Sequence, residues 1–198
     1  AIAKAIESAR AVCGEFLRAR PSRIVFTSSA ATIRHIPERP ASEHDVEPWP
    51  LPTWRPLYPT TKIAMEHEVL RAHQGGLPVV IVNPSLCIGE YDARPFSGQA
   101  ILAFAKYRLP WYLDHGFNAV YTGDVGIGHV RAAQRGRLGE RYLLTSCSIS
   151  LKEFAQRVAE LAGVPPPRWR LPYRLAYAIA CGVEVAARLT WTDPLFTR

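Results

Sequence analysis

The sequence predicts an α/β fold built on a parallel sheet, and three observations carry that expectation. Two short runs, "RIVFTSSA" from Arg23 and "LPVVIVNPS" from Leu77, are apolar and β-branched and end in small polar residues. Continuous runs of this kind read as strands buried on both faces, as in parallel sheets. Between them lies a helical segment, "LYPTTKIAMEHEVLRAHQ", which completes a strand–helix–strand unit. Beyond them helical and strand patterns go on alternating, the arrangement of α/β proteins.

Taken in order, residues 1–20 place Ile2, Ile6, Ala9, Cys13, Phe16 and Leu17 on one helical face. Pro21 and Ser22 end that helix, and the first strand follows. A proline-rich segment then runs from Ile36 to Pro56, with Trp49 and Trp54 in it. A connection this long inside a compact domain is expected to be functional or disordered. The helix from Leu57 runs to Gln74, where Gly75 and Gly76 stop it. After the second strand, "GEYDARPFSG" reads as loop and "QAILAFAKYRL" as helix. "NAVYTG" reads as a short strand, and "DVGIGHVRAAQRG" as a helix with Asp124 as its N-cap. "ERYLLTS" is a strand, and "SLKEFAQRVAELAG" an amphipathic helix opened by a capping box of Ser150 and Glu153. Pro165, Pro166 and Pro167 separate it from a last helix in "LPYRLAYAIACGVEVAARL". There is no internal repeat.

Composition narrows the function classes. With 48% hydrophobic and 21% charged residues, the 198-residue chain has the make-up of a globular protein. The net charge of +7 comes from arginines that are scattered, as in "RAAQRGRLGERY", which reads as a solvated basic surface rather than a nucleic-acid footprint. Cys13, Cys87, Cys147 and Cys181 are far apart in sequence, and the histidines are dispersed. No zinc-like spacing exists, so no metal site is expected, and buried free thiols are. The apolar stretch near the C-terminus is interrupted by Arg174, Glu184 and Arg188, too often for a membrane span. No signal peptide is visible, and a cytoplasmic location is expected. The first residue, Ala1, already lies inside a helical pattern and the chain ends at "DPLFTR" without a stop signal, so both ends are expected to be internal to a longer sequence.

The chemistry centres on Tyr58 and Lys62. At i and i+4 on a helix they project from one face, roughly 5–6 Å apart at Cβ. A tyrosine hydroxyl titrates near pH 10 and is a poor base at neutral pH, but a neighbouring ammonium favours the phenolate. The pair therefore forms a tunable proton donor or acceptor. Ser28 and Ser29 follow the first strand and Asn83, Pro84 and Ser85 close the second. Ligands of parallel α/β sheets bind at such carboxyl ends. Tyr-x-x-x-Lys alone is common by chance; its place between strand–TSS and strand–NPS is far more specific.

In that order of elements the chain resembles the extended short-chain dehydrogenase/reductases, the NAD-dependent epimerase/dehydratase family. Within it, the dihydroflavonol-reductase-like and hopanoid-associated epimerase-like members are most similar. The carriers are "RIVFTSSA", "YPTTKIAMEHEVL", "LPVVIVNPSLCIGEYD", "FNAVYTGDVGIGHVRAAQRGRLGERYLLT" and "LPYRLAYAIACGVEVAARLTWTDPLFT". The resemblance implies the C-terminal part of a Rossmann-like doubly wound parallel sheet plus a small mixed substrate-binding region. Residues 1–90 with 117–136 would form the first part and 91–116 with 137–198 the second. It further implies an oxidoreductase using NAD or NADP, with hydride transfer at a carbonyl or secondary alcohol carbon. Ser29, Tyr58 and Lys62 would be catalytic. Ser28, Tyr58, Lys62, Pro84 and Ser85 would line the cofactor, and Asn83 the small-molecule substrate. A homodimer through the helix carrying Tyr58 and Lys62 is a further implication.

Three departures qualify the likeness. No Gly-x-x-Gly-x-x-Gly turn occurs in the sequence, so the pyrophosphate site is expected outside this chain. Thr122-Gly123-Asp124 replaces the family's more usual Val-Asp-Asp. Sugar-nucleotide members generally carry an arginine just before the strand that reads "NAVYTG"; here Phe117 and Asn118 stand there, and the nearest preceding cation of this kind is Arg108. The last helix offers Leu175, Ile179 and Val183 as an apolar face, so an apolar substrate is expected. The alternatives are a nucleotide-sugar epimerase or dehydratase, and a catalytically silent NAD(P)-sensing regulator. Such a regulator has no chemical need for intact Ser29, Tyr58 and Lys62.

Overall fold

The computed structural model describes residues 1–52, 56–92, 97–106, 109–178 and 181. Trp54, Arg108, Ile179 and Val183 lie outside the described residues. The chain divides into two compact units, one of Ala1–Glu90 with Ala119–Cys147 and one of Tyr91–Asn118 with Ser148–Arg198.

The first unit is organised by strand β2 (Val79–Pro84), buried along its whole length. It pairs in parallel with β1 (Ile24–Thr27) on one side and β6 (Arg141–Leu144) on the other. A strand with helices on both faces needs apolar side chains at every position, and Val79 to Val82 supply them. Alternate residues serve opposite faces. Val79 and Ile81 pack with Cys13, Val69 and Leu77, on the side of helices α1 (Ile2–Ala19) and α2 (Leu57–Gln74). Val80 and Val82 pack with Ala132 of helix α4 (Thr122–Arg135). Each fully buried aliphatic side chain of this kind stabilises the fold by about 1.5–3 kcal/mol. This is the doubly wound arrangement expected.

Residues 137–147 were expected in the second region and instead belong to the first unit. The reason is pairing: Ile81↔Arg141 to Pro84↔Leu144 closes the outer edge of β2. Strand β3 (Leu86–Ile88) pairs in parallel with β5 (Gly116–Tyr121), from Leu86↔Ala119 to Ile88↔Tyr121. Asp124 is not the N-cap of α4. Tyr121 holds that place, and Asp124 lies in the first turn, where a carboxylate still meets the positive helix end. Of the four thiols Cys13 is buried as expected, but Cys147 is exposed and the other two are half-buried.

In α1 only Ala9 and Cys13 of the expected face are buried, while Phe16 and Leu17 remain 38% exposed. Helix α2 stops at Gly75, and Gly76 then takes φ 101°, a left-handed value that suits glycine. Arg10 of α1 donates to both oxygens of Glu68 of α2 at 2.8 and 2.9 Å, which holds the Glu68 carboxyl below its ordinary range.

Side chains of residues 36–52 hold that part of the proline-rich segment together. Asp45 accepts two hydrogen bonds from Arg39, at 2.6 and 2.7 Å, and one from the Ser42 backbone N–H at 2.8 Å. These hold its carboxyl far below the usual range, the arginine contributing most. An antiparallel bridge joins Ile33 to Val46, and Glu43 accepts the outward Leu143 N–H of edge strand β6 at 3.2 Å. Because the folded state favours the ionised form, the Asp45 contribution is full above the ordinary aspartate value, about pH 4, and fades as pH falls below it toward the folded value. The expected result is that Asp45→Asn speeds limited proteolysis within 36–52 at neutral pH, and that the gap to wild type narrows progressively below about pH 4. Equal rates for both proteins at pH 7 would contradict it.

The second unit pairs β4 (Trp111–Leu113) in parallel with β8 (Trp169–Leu171), and Asp114 and Arg170 form an ion pair at 2.7 Å beside them. Helix α3 (Gly98–Ala105) and helix α5 (Leu151–Ala162) pack together. The Ser150–Glu153 capping box opens α5 as expected, and Gly163 closes it at φ 63°. Strand β7 (Cys147–Ser150) precedes α5, and residues 173–178 are helical. No described helix is long and apolar enough to cross a membrane.

Candidate active site

The carboxyl ends of β1 and β2 lie side by side, and the residues expected to act cluster there. Register fixes this: Thr27 pairs with Val82, so Ser28 and Ser29 emerge beside Asn83 and Pro84. The Ser28 N–H donates to the Val82 carbonyl at 2.8 Å. Lys62 of α2 reaches the same edge, its ammonium donating to the Thr27 carbonyl at 3.2 Å. Tyr58, one turn earlier, is 58% exposed. Its helix begins at Leu57 without a side-chain cap, and in its first turn the Thr60 and Thr61 hydroxyls donate to the Pro56 and Leu57 carbonyls at 2.7 Å each.

Ser29 caps a short 3₁₀ turn, Ala30–Thr32, and its Oγ accepts from the Ala31 N–H at 3.2 Å. A hydroxyl used as an acceptor keeps its own proton to donate. The Ser29 backbone is extended, with φ −158° and ψ 149°. Ser28 is nearly buried and its hydroxyl has no partner among the described residues; the same holds for the buried Ser85 hydroxyl. Pro84 closes β2 opposite Leu144.

Asn83 needs correction. It is 0% exposed, and its amide nitrogen, with two protons to give, lies 3.1, 2.9 and 2.7 Å from the Ser29 carbonyl, Thr32 Oγ1 and Glu66 Oε1. A side chain spent inward in this way supports the site and does not meet a substrate. Sequence reading also missed Glu66, Thr32 and Arg141. Glu66 is buried, accepts from Thr32 Oγ1 at 3.0 Å and faces Arg141 Nη2 at 3.2 Å. A signal for Glu66 was present: it continues Tyr58 and Lys62 at four-residue steps, with Ile63 and Val69 three residues to either side of it.

A nicotinamide dinucleotide fits these residues at its nicotinamide end. The unpartnered Ser28 and Ser85 hydroxyls and the Lys62 ammonium are donors suited to ribose and carboxamide oxygens. A model of the NAD dependent epimerase/dehydratase family matches residues 1–143. The chain belongs to the NAD-dependent epimerase/dehydratase family. Nicotinamide dinucleotide, NAD or NADP, is therefore its cofactor class.

Among curated relatives of this family member, sterol demethylase protein B of Methylococcus capsulatus is 35% identical over 174 residues, which are 86% of this chain and 52% of that protein. A dihydroflavonol 4-reductase-like protein of Synechocystis sp. is 34% identical over 163 residues, 80% of this chain and 47% of that protein. The chain thus spans about half the length of the curated relatives it matches. Among solved structures, a nucleoside-diphosphate-sugar epimerase from Pseudomonas aeruginosa superposes with TM-score 0.84 at 30% identity, over 93% of this chain and 61% of that one. The dTDP-glucose 4,6-dehydratase of Bacillus anthracis, solved with NAD, shares the fold at TM-score 0.67 and 13% identity, covering 94% and 61%.

Proposed function

We propose that the protein containing this chain is an NAD(P)-dependent reductase or dehydrogenase acting on a carbonyl or secondary alcohol of a largely apolar molecule. The observation that carries the reading is the seat of Lys62 on the Thr27 carbonyl, which keeps an ammonium one helical turn from the exposed Tyr58 and two residues from Ser29. In the reducing direction Ser29 donates a hydrogen bond to the substrate oxygen. Tyr58 gives that oxygen its proton, and Lys62 stabilises the phenolate left behind. In the oxidising direction the phenolate takes the alcohol proton. The bound cofactor supplies or accepts the hydride at the carbon.

The apolar character of the substrate is read from Phe117 and Asn118. At the place where an arginine would meet a diphosphate, the Phe117 ring packs edge-on against Phe154 at 5.4 Å, and Asn118 accepts from the Ser148 hydroxyl at 2.6 Å. Neither is a cation fitted for bidentate phosphate binding. The curated relatives are named for a sterol and a dihydroflavonol, ring compounds without a diphosphate. Self-association through α2, the helix carrying Tyr58 and Lys62, belongs to the same proposal.

The test is a panel assay of the full-length enzyme against hydrophobic ketones and alcohols and against nucleotide sugars. Saturable NAD(P)-linked turnover is expected on the apolar panel. Saturable epimerisation or dehydration of a nucleotide sugar, with nothing on the apolar panel, would overturn the substrate class.

A further inference from the structure

We propose that Glu66 is a positioning residue of this site, one buried carboxylate that locks the turn presenting Ser29 to the helix presenting Tyr58. The inference rests on the roles proposed above for Ser29 and Tyr58. Tyr58, Lys62 and Glu66 follow one another at four-residue steps, so they form one slowly drifting stripe along α2. Tyr58 and Glu66 are about 12 Å apart along the axis. The stripe's outer end is exposed, and its inner end is nearly sealed, Glu66 being 4% exposed.

The hydrogen bonds form a chain with a consistent direction. Asn83 Nδ2 donates to Glu66 Oε1 at 2.7 Å and to the Ser29 carbonyl at 3.1 Å. The Thr32 hydroxyl gives its one proton to Glu66 Oε1 at 3.0 Å, and the Thr32 backbone N–H also reaches the Ser29 carbonyl at 3.1 Å. The carbonyl of Ser29 is thereby held from two sides, and the holding chain ends on α2. Turning the Asn83 amide over would set its oxygen against the Glu66 carboxylate, two acceptors in contact. Glu66 therefore decides which way Asn83 points, and the unpartnered Asn83 Oδ1 is a consequence. Arg141, from β6, balances the buried charge at 3.2 Å. Among the described residues the partners of Glu66 are Thr32, Asn83 and Arg141, and neither the Ser29 nor the Tyr58 side chain is one of them. Its influence on chemistry passes through where Ser29 stands relative to Tyr58.

A double-mutant cycle on kcat in the full-length protein tests this. Glu66→Gln removes the charge at constant shape and should lower kcat on the order of 10²-fold, the scale of a small misplacement of reacting groups. In a Ser29→Ala background the same change should alter kcat by no more than about twofold, because a misplaced hydroxyl that is absent has no effect. A purely structural role predicts the full loss in both backgrounds, and that additivity would overturn the proposal. So would a parental kcat for Glu66→Gln. A parental kcat for Ser29→Ala would instead defeat the role of Ser29 itself, and the positioning role with it. Should Glu66→Gln fail to fold, Thr32→Val cuts the same chain with one hydroxyl, and additivity with Ser29→Ala there is equally fatal.

Discussion

Replacing Tyr58 by phenylalanine in the full-length enzyme is expected to lower turnover on the order of 10²- to 10⁴-fold, the usual share of general acid–base catalysis, while cofactor affinity stays close to the parental value. The change deletes one oxygen from a residue that is already 58% exposed. The sheet ends, Lys62 and the two unpartnered serine hydroxyls are left as they were. Lys62→Ala should behave differently. In the mechanism proposed above Lys62 serves both Tyr58 and the cofactor, so turnover and cofactor affinity should fall together. Single-turnover kinetics with a cofactor titration separate the two patterns. A Tyr58→Phe enzyme working at the parental rate would remove Tyr58 from the chemistry.

The parts of the fold legible in sequence were those with one strong local cause. The continuous run Val79 to Val82 demanded burial on two faces, and it has it. Ser150 and Glu153 cap α5 through a local exchange of hydrogen bonds that spacing alone announces. What was illegible depends on partners distant in the chain. Asp124 looked like a cap because it precedes an apolar periodic segment, but the helix could begin earlier on Thr122 and Gly123. Arg141 to Leu144 read correctly as a strand, yet nothing local says that its neighbour is β2. At the candidate site the exposed stripe of Tyr58 and Lys62 was visible by spacing. Asn83 was assigned outward because it ends a strand, and only the alternation of β2, which puts it on the α2 side with Val79 and Ile81, turns it inward to Glu66.

That buried network makes a second large effect calculable in sign. Arg141→Met should destabilise the folded chain by about 3 kcal/mol, the usual result of stripping a buried charge of its partner. Glu66 would keep its carboxylate 5% exposed at the side chain, with Asn83 and Thr32 as donors but no countercharge. Glu66→Gln should cost less, since it strands no buried charge and Arg141, at 16% exposure, reaches some water. The pair itself is not a strong source of stability: its single contact is 3.2 Å long and Arg141 Nε has no partner among the described residues. Desolvating two charges for one such contact leaves little net gain. The double variant Glu66→Gln with Arg141→Met should therefore recover more than half of the loss seen with Arg141→Met alone. Denaturant unfolding of the four proteins measures all of this. A double variant no more stable than Arg141→Met would mean that packing around Arg141, and not the stranded charge of Glu66, sets the cost.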